Sequence, residues 1–442
     1  MHKDVFADIP ARRCARLAVA GLSVMLCLAA SGCADTGTTS TAAGNTSPRS
    51  SGSADPWAVT DLADYTGGRS GAADSGLSPV KIGWVNQQGG SLEYPNATRG
   101  AQAAVKYINE ELGGIDGHPL ELSTCYVVNS EQEGNSCGLK MANDDDIKAV
   151  LVGTLINGGQ SMRAVIQGSK PILMSNSISA PDAKGKNVFI FNGNPDSIFG
   201  GLATYLDEEV KAKTVAVVYP QDAQSIGGVD VLRKDLNKLG IELKAVGFDP
   251  STTNLTAAAV AAGVQTADAV VPLVSSPPNC ISAAKALDSL AVKAPIVSTG
   301  SFCFSEAVAQ GLGGEAPKWL QLSTQTNVAD TSLTDVQAYL KQSEAASLSA
   351  DAQSDSDATL AWSLVMTAAK FLNEAGGADA TTTTVAKAAK SFSGPMLLGS
   401  ETVKCGSYRD QPGLCGAQSR VFEHTGGNTF SAATDWITPA GL

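Results

Sequence analysis

Small polar and aromatic side chains recur just after short apolar runs through the central part of the chain, and groups so placed suit ligand recognition better than bond making. Trp84, Asn86, Gln87 and Tyr94 follow the first run, Thr154, Asn157 and Gly158 the third, and Ser175 and Ser177 the fourth. A second set holds Tyr219, Asp222, Gln224, Ser275, Ser276, Ser298, Gly300, Ser301 and Phe302. Amides and hydroxyls can fix the polar end of a small molecule while aromatic rings cover its body. Asn157-Gly158-Gly159 opens a helix, where backbone N–H groups and the helix dipole favour a carboxylate or polar oxygen; as a plain N-cap it needs no ligand. Trp84 is open to two readings, a strand-end core residue or an aromatic wall, and Tyr94 could equally be a surface tyrosine. Catalytic motifs are missing: there is no G-x-S-x-G elbow, Walker A loop or H-E-x-x-H, so no enzyme is expected. Gly311-Leu312-Gly313-Gly314 follows a helical pattern and reads as a helix end, and Asn143-Asp144-Asp145-Asp146 lacks the ligand spacing of a calcium loop. No cofactor is called for.

The cysteines indicate an oxidising compartment. Leu28-Ala29-Ala30-Ser31-Gly32-Cys33 closes an apolar stretch preceded by Arg12, Arg13 and Arg16, the pattern of a signal peptide over 1–32 ending at a lipidation cysteine, Cys33. The stretch is too short to span a bilayer, and ordinary secretion is the alternative. Of nine cysteines, Cys14 and Cys27 would leave with the signal and Cys33 would carry the lipid; the remaining six fall into the local pairs Cys125 with Cys137, Cys280 with Cys303, and Cys405 with Cys415. Proximity alone selects this pairing. With no C-x-x-C and only His118 and His424 beyond the signal, no metal is expected. The formal charge of −12 argues against nucleic acid or anionic lipid as partner, so membrane attachment would be by lipid only.

These residues require elements to position them. Residues 33–78 are rich in Gly, Ser, Thr, Ala and Asp, with little apolar periodicity, and read as a lipidated disordered tether. From residue 79 onward, short β-rich runs alternate with amphipathic helical patterns, the signature of α/β architecture with doubly wound parallel sheets. Val80 to Val85, Leu120 to Val127, Ala149 to Gly153 and Pro171 to Ser175 form a first cycle of strands; Thr214 to Tyr219, Glu242 to Phe248, Ala269 to Val274 and Pro295 to Ser298 form a second. A long helix over about 355–375 follows both.

The segments Val80-Lys81-Ile82-Gly83, Arg99-Gly100-Ala101-Gln102-Ala103-Ala104-Val105 and Gly113-Gly114-Ile115-Asp116-Gly117-His118-Pro119-Leu120 resemble the start of type I solute-binding proteins, the branched-chain amino acid binding proteins of ABC importers. Similarity continues through Ile147 to Gly153, Lys170 to Ser175, Thr214 to Tyr219 and Ala267 to Val271. The resemblance implies two lobes joined by three crossings, expected near 192–196, 322–327 and 393–397. Lobe one would combine 79–193 with 326–393, and lobe two 197–323 with 396–442. It implies a monomeric, extracytoplasmic, lipid-anchored protein on the outer face of the cell membrane that presents a small-molecule ligand to ABC permease subunits. Reporting the ligand to a membrane receptor is the alternative. The ligand would lie at the carboxyl ends of the strands, with the loop at Asn157 and Gly158 gripping its carboxylate.

One departure bears on the ligand. Amino acid binders of this kind place an acidic residue after the fourth strand of lobe two and aromatics after the first and third; the matching positions here are Gly300, Gln224 and Ser275. An ammonium left unpaired in a closed cleft would cost several kcal/mol in order of magnitude. The expected ligand therefore carries a carboxylate or amide and no obligatory α-ammonium, with its body against Trp84 and Phe302.

Overall fold

A computed structural model describes residues 58–442 apart from 91, 275 and 441. The signal peptide, Cys33, most of the tether and Ser275 lie outside the described residues. The first sheet is parallel, in the order β2-β1-β3-β4-β5, built from β1 (Val80–Gln87), β2 (Leu120–Val127), β3 (Ile147–Val152), β4 (Ile172–Met174) and β5 (Val188–Ile190). Seven of the eight β1 residues are buried, as expected of a strand covered by helices on both faces. The second sheet joins β6 (Thr214–Pro220), β7 (Glu242–Phe248) and β8 (Ala269–Pro272) in the order β7-β6-β8. A parallel bridge from Val270 to Ile296 continues it to β9 (Val297–Ser298) and β10 (Leu320–Ser323).

Helices α1 (Leu62–Thr66), α2 (Pro95–Glu111), α3 (Glu131–Asn143) and α4 (Gly159–Ile166) accompany the first sheet. Helices α5 (Pro195–Glu208), α6 (Ala223–Lys238), α7 (Thr256–Ala262), α8 (Pro277–Ser289) and α9 (Glu306–Gly311) accompany the second. The chain then returns to the first lobe as α10 (Thr334–Ala345), α11 (Ala350–Gln353), α12 (Ser356–Glu374) and α13 (Thr382–Ser391). Helix α12 is the main support of that lobe. It buries Trp362, Val365, Met366 and Phe371 completely, and it lies so close to α2 that a Cβ at Gly100 would collide with the Ala358 carbonyl. Among the described residues no helix is long and apolar enough to cross a membrane.

Two boundaries differ from the sequence reading. Residues 58–78 do not behave as a tether: Leu62 is 2% exposed within the first core, Tyr65 Oη lies 2.9 Å from Thr367 Oγ1, and Asn373 Nδ2 donates to the Thr66 carbonyl at 2.8 Å. One leucine, one tyrosine and several backbone hydrogen bonds suffice to dock a segment whose composition looks unstructured.

The third crossing also moves. After the short pair β11 (Ser393–Gly394) and β12 (Val403–Lys404), residues 396–417 stay with the first lobe, because Met396, Leu397, Leu398 and Val403 fill its core and Leu414 pairs beside Ile190 at the sheet edge. Only β13 (Arg420–Gly426) and β14 (Thr429–Ala432) join the second sheet. The three crossings therefore run through 192–194, 324–326 and 417–419, and all are lined by buried polar residues, among them Asn192, Asn194, Gln325 and Ser419.

The three local cysteine pairs form disulfides. Cys125 to Cys137 ties β2 to α3, Cys280 to Cys303 ties α8 to the turn at 301–304, and Cys405 to Cys415 closes the segment retained by the first lobe.

Candidate functional site

A cavity of about 290 Å³ lies at the carboxyl ends of β3 and β4, between α4 and the first three turns of α12. Its body is apolar, from Val152, Leu155, Met174, Ile178, Leu360 and Leu364; its polar and charged residues include Thr154, Ser175, Glu131, Arg163, Asp182 and Asp357. One cation stands against three carboxylates, so the lining carries two excess negative charges.

Asp357 defines one end. The first turn of α12 is fixed by its N-cap Asp355, whose Oδ1 accepts from the Asp357 and Ala358 N–H groups and whose Oδ2 accepts from Asn96 of α2. Asp357 then faces the cavity, with Oδ1 accepting from Thr154 Oγ1 at 2.5 Å. It is partly exposed and belongs to the lining of the recess. Burial, reinforced by the neighbouring Asp355 carboxylate, pushes its pKa up to about 6. Ser175 Oγ donates to the Leu360 carbonyl at 3.0 Å and ties β4 to the same helix. Burial and the Asp357 charge both raise the Tyr94 hydroxyl above its ordinary range, which places that ring near this end.

The lining also holds an ion pair. Arg163 Nη2 lies 2.5 Å from Asp182 Oδ1, the two side chains being 16% and 2% exposed. Asp182 Oδ2 also accepts from Ser177 Oγ at 2.6 Å. Burial pushes the Asp182 pKa up and the Arg163 pKa down, each against the attraction of the partner.

The opening of α4 is occupied from within the chain. Helices α3 and α4 approach so closely at Gly134 that a Cβ there would collide with the Gly158 backbone, and Gly158 itself has a left-handed φ of 75°. This approach brings Glu131 of α3 over the α4 terminus. Its Oε1 accepts from Gly158 N–H at 3.0 Å, while Oε2 accepts from Ser161 N–H at 3.1 Å and Ser161 Oγ at 2.6 Å. The Ser161 hydroxyl and these backbone donors hold the carboxyl below its usual range. Gln87 Oε1 accepts from the N–H groups of Ile156 and Asn157 at 2.9 and 3.0 Å. Glu131 and Gln87 thus satisfy the donors at Ile156, Asn157, Gly158 and Ser161, among them the Asn157 and Gly158 N–H groups that the sequence reading assigned to a ligand carboxylate.

Of the residues expected at the site, Thr154 and Ser175 line the cavity. Trp84 does not: it is fully buried in the first core, its Nε1 donating to Thr98 Oγ1 at 3.1 Å. Asn86 is equally buried and donates to the Tyr94 carbonyl and to Thr98, and Gln87 supports the loop as described. Asn157 and Gly158 belong to that loop, and Ser177 is committed to Asp182.

In the second lobe, Tyr219 packs partly buried against the core, Gln224 is exposed on α6, and Gly300 and Phe302 stack on one another at the turn after β9. Asp222 caps α6 through both oxygens on Ser225. Ser301 Oγ lies 3.0 Å from Ser356 Oγ, so the second lobe touches the first beside Asp357. Asp357, Arg163, Asp182 and Glu131 escaped the sequence reading. The available signal was the Asp355-Ser356-Asp357 start of the long apolar helix, which is also what an ordinary helix N-terminus looks like. Among the described residues no group of three or more His, Cys, Asp or Glu side chains could hold a metal ion.

Residues 79–408 match the family described as periplasmic binding protein. No curated protein sequence matches the chain. Among solved structures, a leucine binding protein, LivK, from Thermotoga maritima is 15% identical, with 82% of this chain and 100% of that one covered at a TM-score of 0.64. A solute binding protein of an R. palustris ABC transporter, in complex with 4-hydroxybenzoate, is 14% identical over 83% and 99% of the two chains at 0.65. A fatty acid ABC transporter substrate-binding protein from Thermomonospora curvata is 15% identical over 85% and 96% at 0.65. At these identities the likeness shows a shared fold.

Proposed function

The chain belongs to the periplasmic binding protein family, and on that premise we propose that it is the extracytoplasmic substrate-binding component of an ABC importer, capturing a small organic solute and presenting it to a membrane permease. The observation that carries this reading is the cavity at the carboxyl ends of β3 and β4, near the place where the three crossings join the lobes and where Ser301 of the second lobe meets Ser356 of the first. Rotation about the crossings would close the second lobe over that recess, converting ligand contacts into a shape a permease can read.

Buried polar groups at the crossings favour such movement. Asn192 Oδ1 and Nδ2, Gln325 Oε1 and Ser419 Oγ are buried without partners among the described residues, so a rotated arrangement can offer them hydrogen bonds that this one does not. Attachment through a lipid on Cys33 belongs to the same proposal, and labelling with a radioactive fatty acid that disappears in Cys33→Ala would support it.

Ligand capture and closure are tested together. Thermal unfolding and small-angle scattering of the full chain would be measured against amino acids, amines, amides, aliphatic and aromatic carboxylates and sugars. One class should raise the unfolding temperature and reduce the radius of gyration. A chain unchanged by every class, in both measurements, would end the importer reading.

A further inference from the structure

Resting on that reading, we propose that the cavity recognises an ammonium-bearing solute, whose positive end is received by Asp357 and Thr154 on the first lobe, and that the Glu131 charge disfavours a ligand carboxylate at the opening of α4. Three observations converge. The N–H groups of Ile156, Asn157, Gly158 and Ser161 are held by Gln87 and Glu131, and a carboxylate arriving at Gly158 would meet the Glu131 charge directly. Arg163, the sole cation among the described residues of the lining, is bound to Asp182 and offers no unbalanced positive charge. Asp357 is the remaining carboxylate facing the recess, with one oxygen on Thr154 and the other meeting no donor among the described residues.

A cation placed there reduces the lining's excess negative charge from two to one, and it also relieves the repulsion between Asp355 and Asp357. The apolar wall from Leu360 and Leu364 then covers the body of the solute. Recognition of a positive end thus falls on the first lobe and on α12, which accounts for the lack of an acidic residue at Gly300.

The titratable and charged groups that act on Asp357 are Asp355 on its own helix and Tyr94 ahead of α2, while Arg163, Asp182 and Glu131 line the same cavity. The test is calorimetric titration of the full chain, first unfolded and refolded with its disulfides intact to strip retained solutes. The probes are n-butylamine, pentanamide and pentanoate at pH 7.5. Butylamine should bind at least about tenfold more tightly than pentanoate, and Asp357→Asn, which keeps an acceptor for Thr154, should remove that preference. Glu131→Ala should gain affinity for pentanoate. A parent that prefers pentanoate, or a preference unchanged in Asp357→Asn, overturns the inference while leaving the importer reading intact. Silence toward all three probes also overturns it, and only silence across the broad solute panel would remove the importer reading as well.

Discussion

If Asp357 is kept for a ligand rather than for the fold, removing its charge should stabilise the ligand-free protein. Burial beside Asp355 moves its pKa from the ordinary 3.8 to about 6, so between those values the folded state holds more protons than the unfolded one. Stability is therefore lost as pH rises through that window. At pH 7.5 the cost approaches an upper bound of about 3 kcal/mol, and partial exposure reduces it to about 1–2 kcal/mol. At pH 5, inside the window, about half of it remains.

Asp357→Asn removes the charge and retains the acceptor for Thr154. Urea unfolding of stripped parent and variant, at pH 7.5 and pH 5, should show the variant more stable by about 1–2 kcal/mol at the higher pH and by about half as much at the lower. A residue retained at this cost is the pattern expected of a binding site that trades stability for function. Equal or lower stability of the variant at pH 7.5, or a difference that does not shrink at pH 5, would refute the reasoning.

Other perturbations separate packing from recognition. Arg163→Met leaves Asp182 buried with Ser177 as its remaining partner and should destabilise the protein by about 3–5 kcal/mol at pH 7.5, with the deficit easing at lower pH as the Asp182 carboxyl takes up a proton; urea unfolding at two pH values reads both effects. Replacing Cys280 and Cys303 by serine opens a loop of 23 residues and should cost about 3 kcal/mol by loop-closure entropy, measurable as a lower unfolding midpoint. Leu62→Ala should cost about 2–5 kcal/mol in the same assay, whereas a tether would tolerate it without change.

The architecture was legible because parallel strands read as short apolar runs and α2 shows its buried face openly, with Ala97, Ala101, Ala104 and Ile108 recurring at helical spacing. The disulfide pairs were legible from proximity. Thr154 and Ser175 followed from the rule that ligands gather at strand carboxyl ends. That same rule misplaced Trp84, since a strand buried on both faces gives its last residues to the core as readily as to a cleft. Asp357 was hidden for a topological reason: α12 comes after both strand cycles, and only the return of the chain to the first lobe brings it beside Thr154.

Glu131 was hidden because its role depends on the close approach of α3 and α4 at Gly134 and Gly158, a contact with no periodic signature. The third crossing was placed too early because the apolar run from Met396 to Leu398 does not reveal which lobe's core it fills.

A crystal structure of the full chain loaded with a butylamine-sized ammonium solute would test the central claim most directly. The account predicts the ligand nitrogen within about 3 Å of Asp357 and Thr154, Glu131 still seated on Gly158 and Ser161, and the second lobe rotated over the recess. A ligand elsewhere in the molecule, or one whose polar end displaces Glu131 from the opening of α4, would contradict it.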